Sequence, residues 1–86
     1  MDARRRKLLF RSWHRGIREM DLVFGRFANA QIAALSDAEL DEFDGWLEIP
    51  DQQMFAYVNG SEPAPTKLDT ALFRRLREFH GGRGES

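Results

Sequence analysis

Apolar side chains recur at three- and four-residue spacings along the whole chain, and no stretch alternates apolar with polar residues for long enough to form a half-buried strand. That periodicity restricts the fold to helices, and 86 residues leave room for one small core. The expected architecture is all-α: a compact five-helix bundle, one domain over residues 1–80, followed by a flexible glycine-rich tail at 81–86. Cysteine is absent, so no disulfide, thiolate nucleophile or cysteine-type zinc site is available and packing alone must hold the chain. A reducing, cytoplasmic setting is the expectation. Apolar runs such as Ile32 to Leu35 fall far short of the roughly 20 residues a membrane span needs. Arg4 to Lys7 precede only Leu8, Leu9 and Phe10 before Arg11, too short a stretch for an export signal, so the N-terminus is expected to belong to the fold.

Five helices can be placed. The first, about residues 2–14, carries Leu9 and Trp13 four apart, with Leu8 and Phe10 widening the stripe and a basic opposite face. The second, about 17–32, sets Met20, Phe24 and Phe27 on one side with Val23 between. Gly25 in its interior costs about 1 kcal/mol relative to alanine, which a close crossing at that point would explain. The third starts at a capping box, Ser36 with Glu39, reinforced by a hydrophobic staple of Leu35 on Leu40; it buries Leu40, Phe43, Trp46 and Leu47 and ends before Pro50. The fourth, about 50–58, carries Met54, Phe55 and Val58 before an Asn59-Gly60 stop. After a loop at Ser61 to Pro65, the fifth, about 67–80, begins at Thr66 and buries Leu68, Leu72, Leu76 and Phe79. A body of this kind has a radius of gyration of roughly 12 Å. It cannot readily enclose a pocket of about 300 Å³ without giving up its interior, so its working part should be a surface.

The near-neutral total charge hides a division. Residues 1–26 carry eight basic and three acidic side chains, 27–66 carry eight acidic ones and no Lys or Arg, and 67–86 carry five basic and three acidic. The simplest consequence is a basic first helix lying beside an acidic middle segment, with exposed pairs worth about 0 to 1 kcal/mol each; the alternative is a free pole that steers a partner.

Chemistry of its own is poorly supplied. His14 and His80 are the only histidines, each near a helix end where a histidine commonly serves as a C-terminal cap, and neither has a cysteine nearby to activate. Glu39, Asp41, Glu42, Asp44, Glu48 and Asp51 are expected to scatter around a solvated face and hold no metal. The string Gly81-Gly82-Arg83-Gly84 lacks the strand and helix that a phosphate-cradling loop requires. One constellation differs. In Arg15-Gly16-Ile17-Arg18-Glu19-Met20-Asp21, a glycine corner with an expected positive φ joins two helices. Arginine forks sit there beside carboxylates at the start of the second helix, an arrangement suited to docking on another protein.

These residues match an Arg-Gly-x-x-Glu signature with its following Asp, and the chain resembles the SdhE family of bacterial and mitochondrial assembly factors. That family assists covalent attachment of FAD to the flavoprotein subunit of succinate dehydrogenase. The resemblance covers about residues 4–79. It includes the basic, Trp-bearing first helix, the spacing to Leu40, Phe43, Leu47 and Glu48, and the Phe55 to Tyr57 segment. Tyr57 stands where many relatives have Trp, and Gln52 and Gln53 replace part of an acidic cluster near Asp51. The resemblance implies a five-helix helper, a monomer without catalytic residues, metal or tightly bound cofactor, whose partner carries FAD. Arg15, Gly16 and Glu19 would be the centre of the partner-binding surface, with Arg18 and Asp21 at its rim; fumarate reductase stays open as a second client.

Two other readings compete. A nucleic-acid-binding module would use Arg4, Arg5, Arg6, Lys7 and Arg11 with Arg74, Arg75 and Arg77. An isoelectric point near 6.1 and the acidic middle segment oppose it, because domains of that class usually exceed about 9. A small enzyme would pair His14 with Glu19, and no feature names its substrate.

Overall fold

In the computed structural model, which describes residues 1–83 and side chains through residue 81, Asp2 opens the first helix by accepting the Arg5 backbone N–H at 2.8 Å. Five α-helices follow in order: α1 (Ala3–Ser12), α2 (Arg18–Gln31), α3 (Asp37–Trp46), α4 (Asp51–Asn59) and α5 (Ala71–Glu78). Short 3₁₀ turns lie at Ile32–Ala34 and Thr66–Leu68, and α5 continues into a π-helical turn at Phe79–Arg83; the remainder of the expected tail lies outside the described residues. The radius of gyration is 11.9 Å.

An aromatic cluster forms the centre. Phe24, Phe27, Phe43, Trp46 and Phe73 are buried, and edge-on contacts link Phe24 to Phe43 at 5.7 Å, Phe43 to Trp46 at 5.7 Å and Trp46 to Phe73 at 5.9 Å. Such edge-to-face pairs add about 0.5–1.5 kcal/mol each to the burial of the rings. Three helices thereby share one core, with α1 and α4 closing its sides.

The end signals behave as capping chemistry requires. Ser36 and Glu39 form the reciprocal box, Ser36 Oγ accepting from Glu39 N–H at 3.1 Å and Glu39 Oε1 from Ser36 N–H at 2.9 Å. Leu35 and Leu40 are both buried beside it. Gly60 ends α4 with φ +84°. Gly25 is buried under the Trp13 indole, so the close approach at this glycine is made by a side chain from the end of α1.

Three expectations need correction. Phe10 does not widen the buried stripe of α1: it is 62% exposed, while Leu8 and Ser12 face inward. Residues two apart on a helix point about 200° apart, so burying Leu8 turns Phe10 outward. The third helix ends at Trp46, earlier than expected. Residues 47–49 continue in tight turns, with Glu48 N–H donating to Gly45 O and Ile49 N–H to Trp46 O. The fifth helix begins at Ala71, not 67. Thr66 and Thr70 both have capping chemistry. Thr70 has extended backbone and accepts the Phe73 N–H at 3.1 Å, and it donates its hydroxyl to Glu42. Leu68 is consequently half-buried in the preceding turn, and Phe73 joins the core.

Candidate functional site: the turn between α1 and α2

The divided charge closes on itself. Asp41, Asp44, Glu48 and Asp51 do not scatter over a solvated face; their spacing of three, four and three residues makes one ridge that meets the arginines of α1 and the turn. Arg4 pairs with Asp41, Arg11 reaches Asp44 and Glu48 at 2.9 Å each, and Arg15 reaches Asp51 at 2.8 Å. On the other side of α1, Arg5 donates to the carbonyls of Ile32, at 2.9 Å, and Leu35. It thereby ties α1 to the backbone carbonyls of the turn that follows α2. The arginines that would form a nucleic-acid-binding face are largely spent on internal contacts.

At the turn, Asp51 and Asp21 each have a defined task. Asp51, the first residue of α4, receives Arg15 Nε at 3.0 Å and Nη2 at 2.8 Å on one oxygen, and the Gly16 backbone N–H at 2.7 Å on the other. Arg15 Nη2 also donates to Leu47 O at 2.8 Å, and its guanidinium carbon lies 5.7 Å from the Phe24 ring centroid. Asp21 accepts the Arg15 backbone N–H at 2.6 Å. The Arg15 and Asp51 side chains are only 13% and 14% exposed, where an ion pair is screened far less than at the surface.

This geometry changes the reason for Gly16. Its φ is not positive; Gly60 is the residue with that conformation among the described residues. What Gly16 supplies is room, because a Cβ there would lie 3.1 Å from Asp51 Oδ2, tight enough that the carboxylate would have to shift by a few tenths of an ångström.

The five expected site residues therefore share one corner but differ in where they point. Arg15 turns inward, and Asp21 is half-buried against the turn. Gly16, Arg18 and Glu19 are exposed, and neither Arg18 nor Glu19 has an ion-pair partner among the described residues. Glu19 lies in the first turn of α2, where backbone N–H groups favour a carboxylate. It also borders an open groove of about 290 Å³ shared with Leu22, Arg26, Phe55 and His80. Asp51 and the groove were missed in the sequence. Asp51 lies 36 residues from Arg15, and the one available signal was the regular acidic spacing that ends on it.

Each histidine packs against an aromatic ring. His14 Nδ1 lies 2.6 Å from Phe10 O, with its ring stacked on Phe10 at 3.9 Å, and His80 meets Phe55 edge-on at 6.0 Å. Among the described residues no group of His, Cys, Asp and Glu is arranged to hold a metal ion, and no helix is long and apolar enough to cross a membrane.

Comparison with known proteins places this corner in context. The family model described as "Flavinator of succinate dehydrogenase" matches residues 6–80, which includes the whole turn. The chain is 37% identical over 76 residues to the FAD assembly factor SdhE of Acetobacter pasteurianus, covering 88% of this chain and 70% of that protein. It is 34% identical over 82 residues to the mitochondrial succinate dehydrogenase assembly factor 2 of Scheffersomyces stipitis, covering 91% and 55% respectively. The corresponding protein of Meyerozyma guilliermondii is 39% identical over 81 residues, covering 90% and 60%. The chain thus spans a little over half the length of these mitochondrial relatives. A family match across nearly all of the helical body, the α1–α2 turn included, makes this chain a member of the SdhE family, whose model is described as the flavinator of succinate dehydrogenase.

Proposed function

We propose that this chain binds the flavoprotein subunit of succinate dehydrogenase through the surface around Gly16 and Glu19 and promotes covalent attachment of FAD there without catalysing a reaction of its own. The observation that carries the reading is the α1–α2 corner itself. Internal hydrogen bonds hold it firmly, yet it leaves Gly16, Arg18 and Glu19 exposed, with Glu19 lining an open groove. A rigid corner with one free carboxylate and one free guanidinium offers charge-assisted contacts at little ordering cost. Family membership supplies the client: relatives carry the names FAD assembly factor and succinate dehydrogenase assembly factor.

The physical work is a shift of population. A helper that binds one conformation of the flavoprotein more tightly than the others raises its share by the ratio of those affinities, and a hundredfold preference moves an even equilibrium to about 99:1. In this reading FAD and its attachment site belong to the partner, and this chain holds no cofactor tightly. It acts as a single copy, since Met1 and Phe10 are the exposed large apolar residues among those described, too little for an obligate dimer face.

Co-expression with the flavoprotein subunit, followed by in-gel fluorescence of covalently bound flavin, tests the proposal. The signal should fall when this chain is omitted, and Gly16→Leu should behave like omission while keeping a helical circular dichroism spectrum. Full flavinylation by a folded Gly16→Leu variant would refute it. The fumarate reductase flavoprotein is the second client to run in the same gel.

A further inference from the structure

We infer that Asp51 is the positioning residue of the docking corner, and that Arg15 influences the partner through Asp51 instead of touching it. This rests on the docking reading above and specifies which residues of the corner meet the partner. A guanidinium has five N–H donors. Three of the contacts that Arg15 could offer a partner are already made inside the molecule, two to Asp51 Oδ1 and one to Leu47 O. The two donors that remain, both on Nη1, belong to a side chain only 13% exposed, which gives a partner carboxylate little access to them. The other Asp51 oxygen holds the Gly16 N–H at 2.7 Å, while Asp21 holds the Arg15 N–H at 2.6 Å. Two successive backbone donors are thus fixed by two carboxylates from different helices.

Ile17 then enters α2 with extended backbone, φ −127° and ψ 147°, and without a side-chain cap. No side-chain cap at Ile17 helps set the start of α2; the bonds to Arg15 and Gly16 do that work, and Glu19 is only three residues further on. The Arg-Gly-x-x-Glu spacing acquires a division of labour from this geometry. Arginine orients Asp51, and glycine makes room for it, since a Cβ at Gly16 would sit 3.1 Å from Asp51 Oδ2. Glutamate is the member left free to reach outward. An asparagine at position 51 would keep one acceptor oxygen but present an amide N–H₂ to donors that need an acceptor, so the isosteric change should release the turn.

The test is a double-mutant cycle in affinity for the purified flavoprotein subunit, measured by isothermal titration with Asp51→Asn, Arg15→Gln and the pair, each checked by circular dichroism and thermal melting. Each single variant should weaken binding at least tenfold, and the double variant should be no weaker than the worse single one, because both changes undo the same arrangement. The Gly16 amide resonance should move in all three. Wild-type affinity in Asp51→Asn would overturn the inference, as would losses that multiply, which would mean Arg15 meets the partner on its own. If Asp51→Asn does not fold, Asp51→Glu keeps the charge opposite Arg15 but displaces the carboxylate from Gly16, and wild-type binding by that folded variant would overturn the inference equally. Wild-type binding with an unchanged Asp51→Asn variant removes the positioning role alone; no binding by the wild-type chain removes the docking reading and this inference together.

Discussion

Replacing Gly25 with alanine should destabilise the protein, although the same change in an open helix would stabilise it. A Cβ at this position falls 2.3, 2.4 and 2.6 Å from Cδ2, Cε2 and Cε3 of Trp13, where carbon atoms normally rest about 3.5–4.0 Å apart. The indole must move by roughly 1 Å or more, and with it goes the bond from Trp13 Nε1 to Asn29 Oδ1 at 3.4 Å. Overpacking of this kind costs about 1–3 kcal/mol, and alanine returns about 1 kcal/mol of helix propensity. The expected net loss is therefore about 1 kcal/mol, a fall in Tm of about 4–8 °C for a domain of this size. Urea unfolding with tryptophan emission reads both effects, because the displaced Trp13 should shift to the red while buried Trp46 does not. The decisive comparison repeats Gly25→Ala in a Trp13→Ala background. With the ring gone, the substitution should stabilise by about 1 kcal/mol, reversing its sign. The same destabilisation in both backgrounds, or a stabilised single variant with unshifted emission, would refute the packing argument.

Three further outcomes follow from the helix ends. Ser36→Ala should cost about 0.5–2 kcal/mol in urea melts, and Glu39→Ala in that background should add less than it does alone, since the two side chains close one box. Gly60→Ala should cost about 1–2 kcal/mol because its φ of +84° is disfavoured for any residue with a Cβ. Acid should weaken the fold in a defined window. The backbone hydrogen bond from Arg5 holds the Asp2 carboxyl below its ordinary value of 3.8, and the side-chain hydrogen bond from Arg74 does the same for Asp69. Their contribution is present in full above the ordinary carboxylate value and is lost as pH falls through the lowered ones. Thermal melts from pH 5 downward should show that loss, and an Asp2→Asn, Asp69→Asn variant should show a smaller one.

The all-helical body, the Ser36 box and the Gly60 stop were legible because each depends on neighbours within a few residues, and a glycine inside a helix was enough to signal a close approach at Gly25 without naming Trp13. Helix bounds near Thr66 and Thr70 were less so: two capping threonines four residues apart compete, and the contact of Thr70 with Glu42, remote in sequence, favours the second. Phe10 was misplaced because both Leu8 and Leu9 offer an inward direction, and only packing against α2 selects Leu8. The signature corner was visible as a cluster of residue types, but the direction of Arg15 and the reason for Gly16 were not, because both are set by Asp51 from another helix. Arginines at 4, 11 and 15 facing carboxylates at 41, 44, 48 and 51 form a pattern that could be found in the sequence once α1 and α3 were known to lie side by side.

The most direct test of the account is the affinity of this chain for the flavoprotein subunit when only the outward carboxylate of the corner is changed. Glu19 makes no internal ion pair among the described residues, so Glu19→Lys should leave the melting temperature within a few degrees of wild type. In isothermal titration it should weaken binding at least tenfold, about 1.4 kcal/mol, and lower the covalent flavin signal in step. Unchanged affinity and full flavin attachment by a folded Glu19→Lys chain would contradict the claim that this corner is where the partner is held.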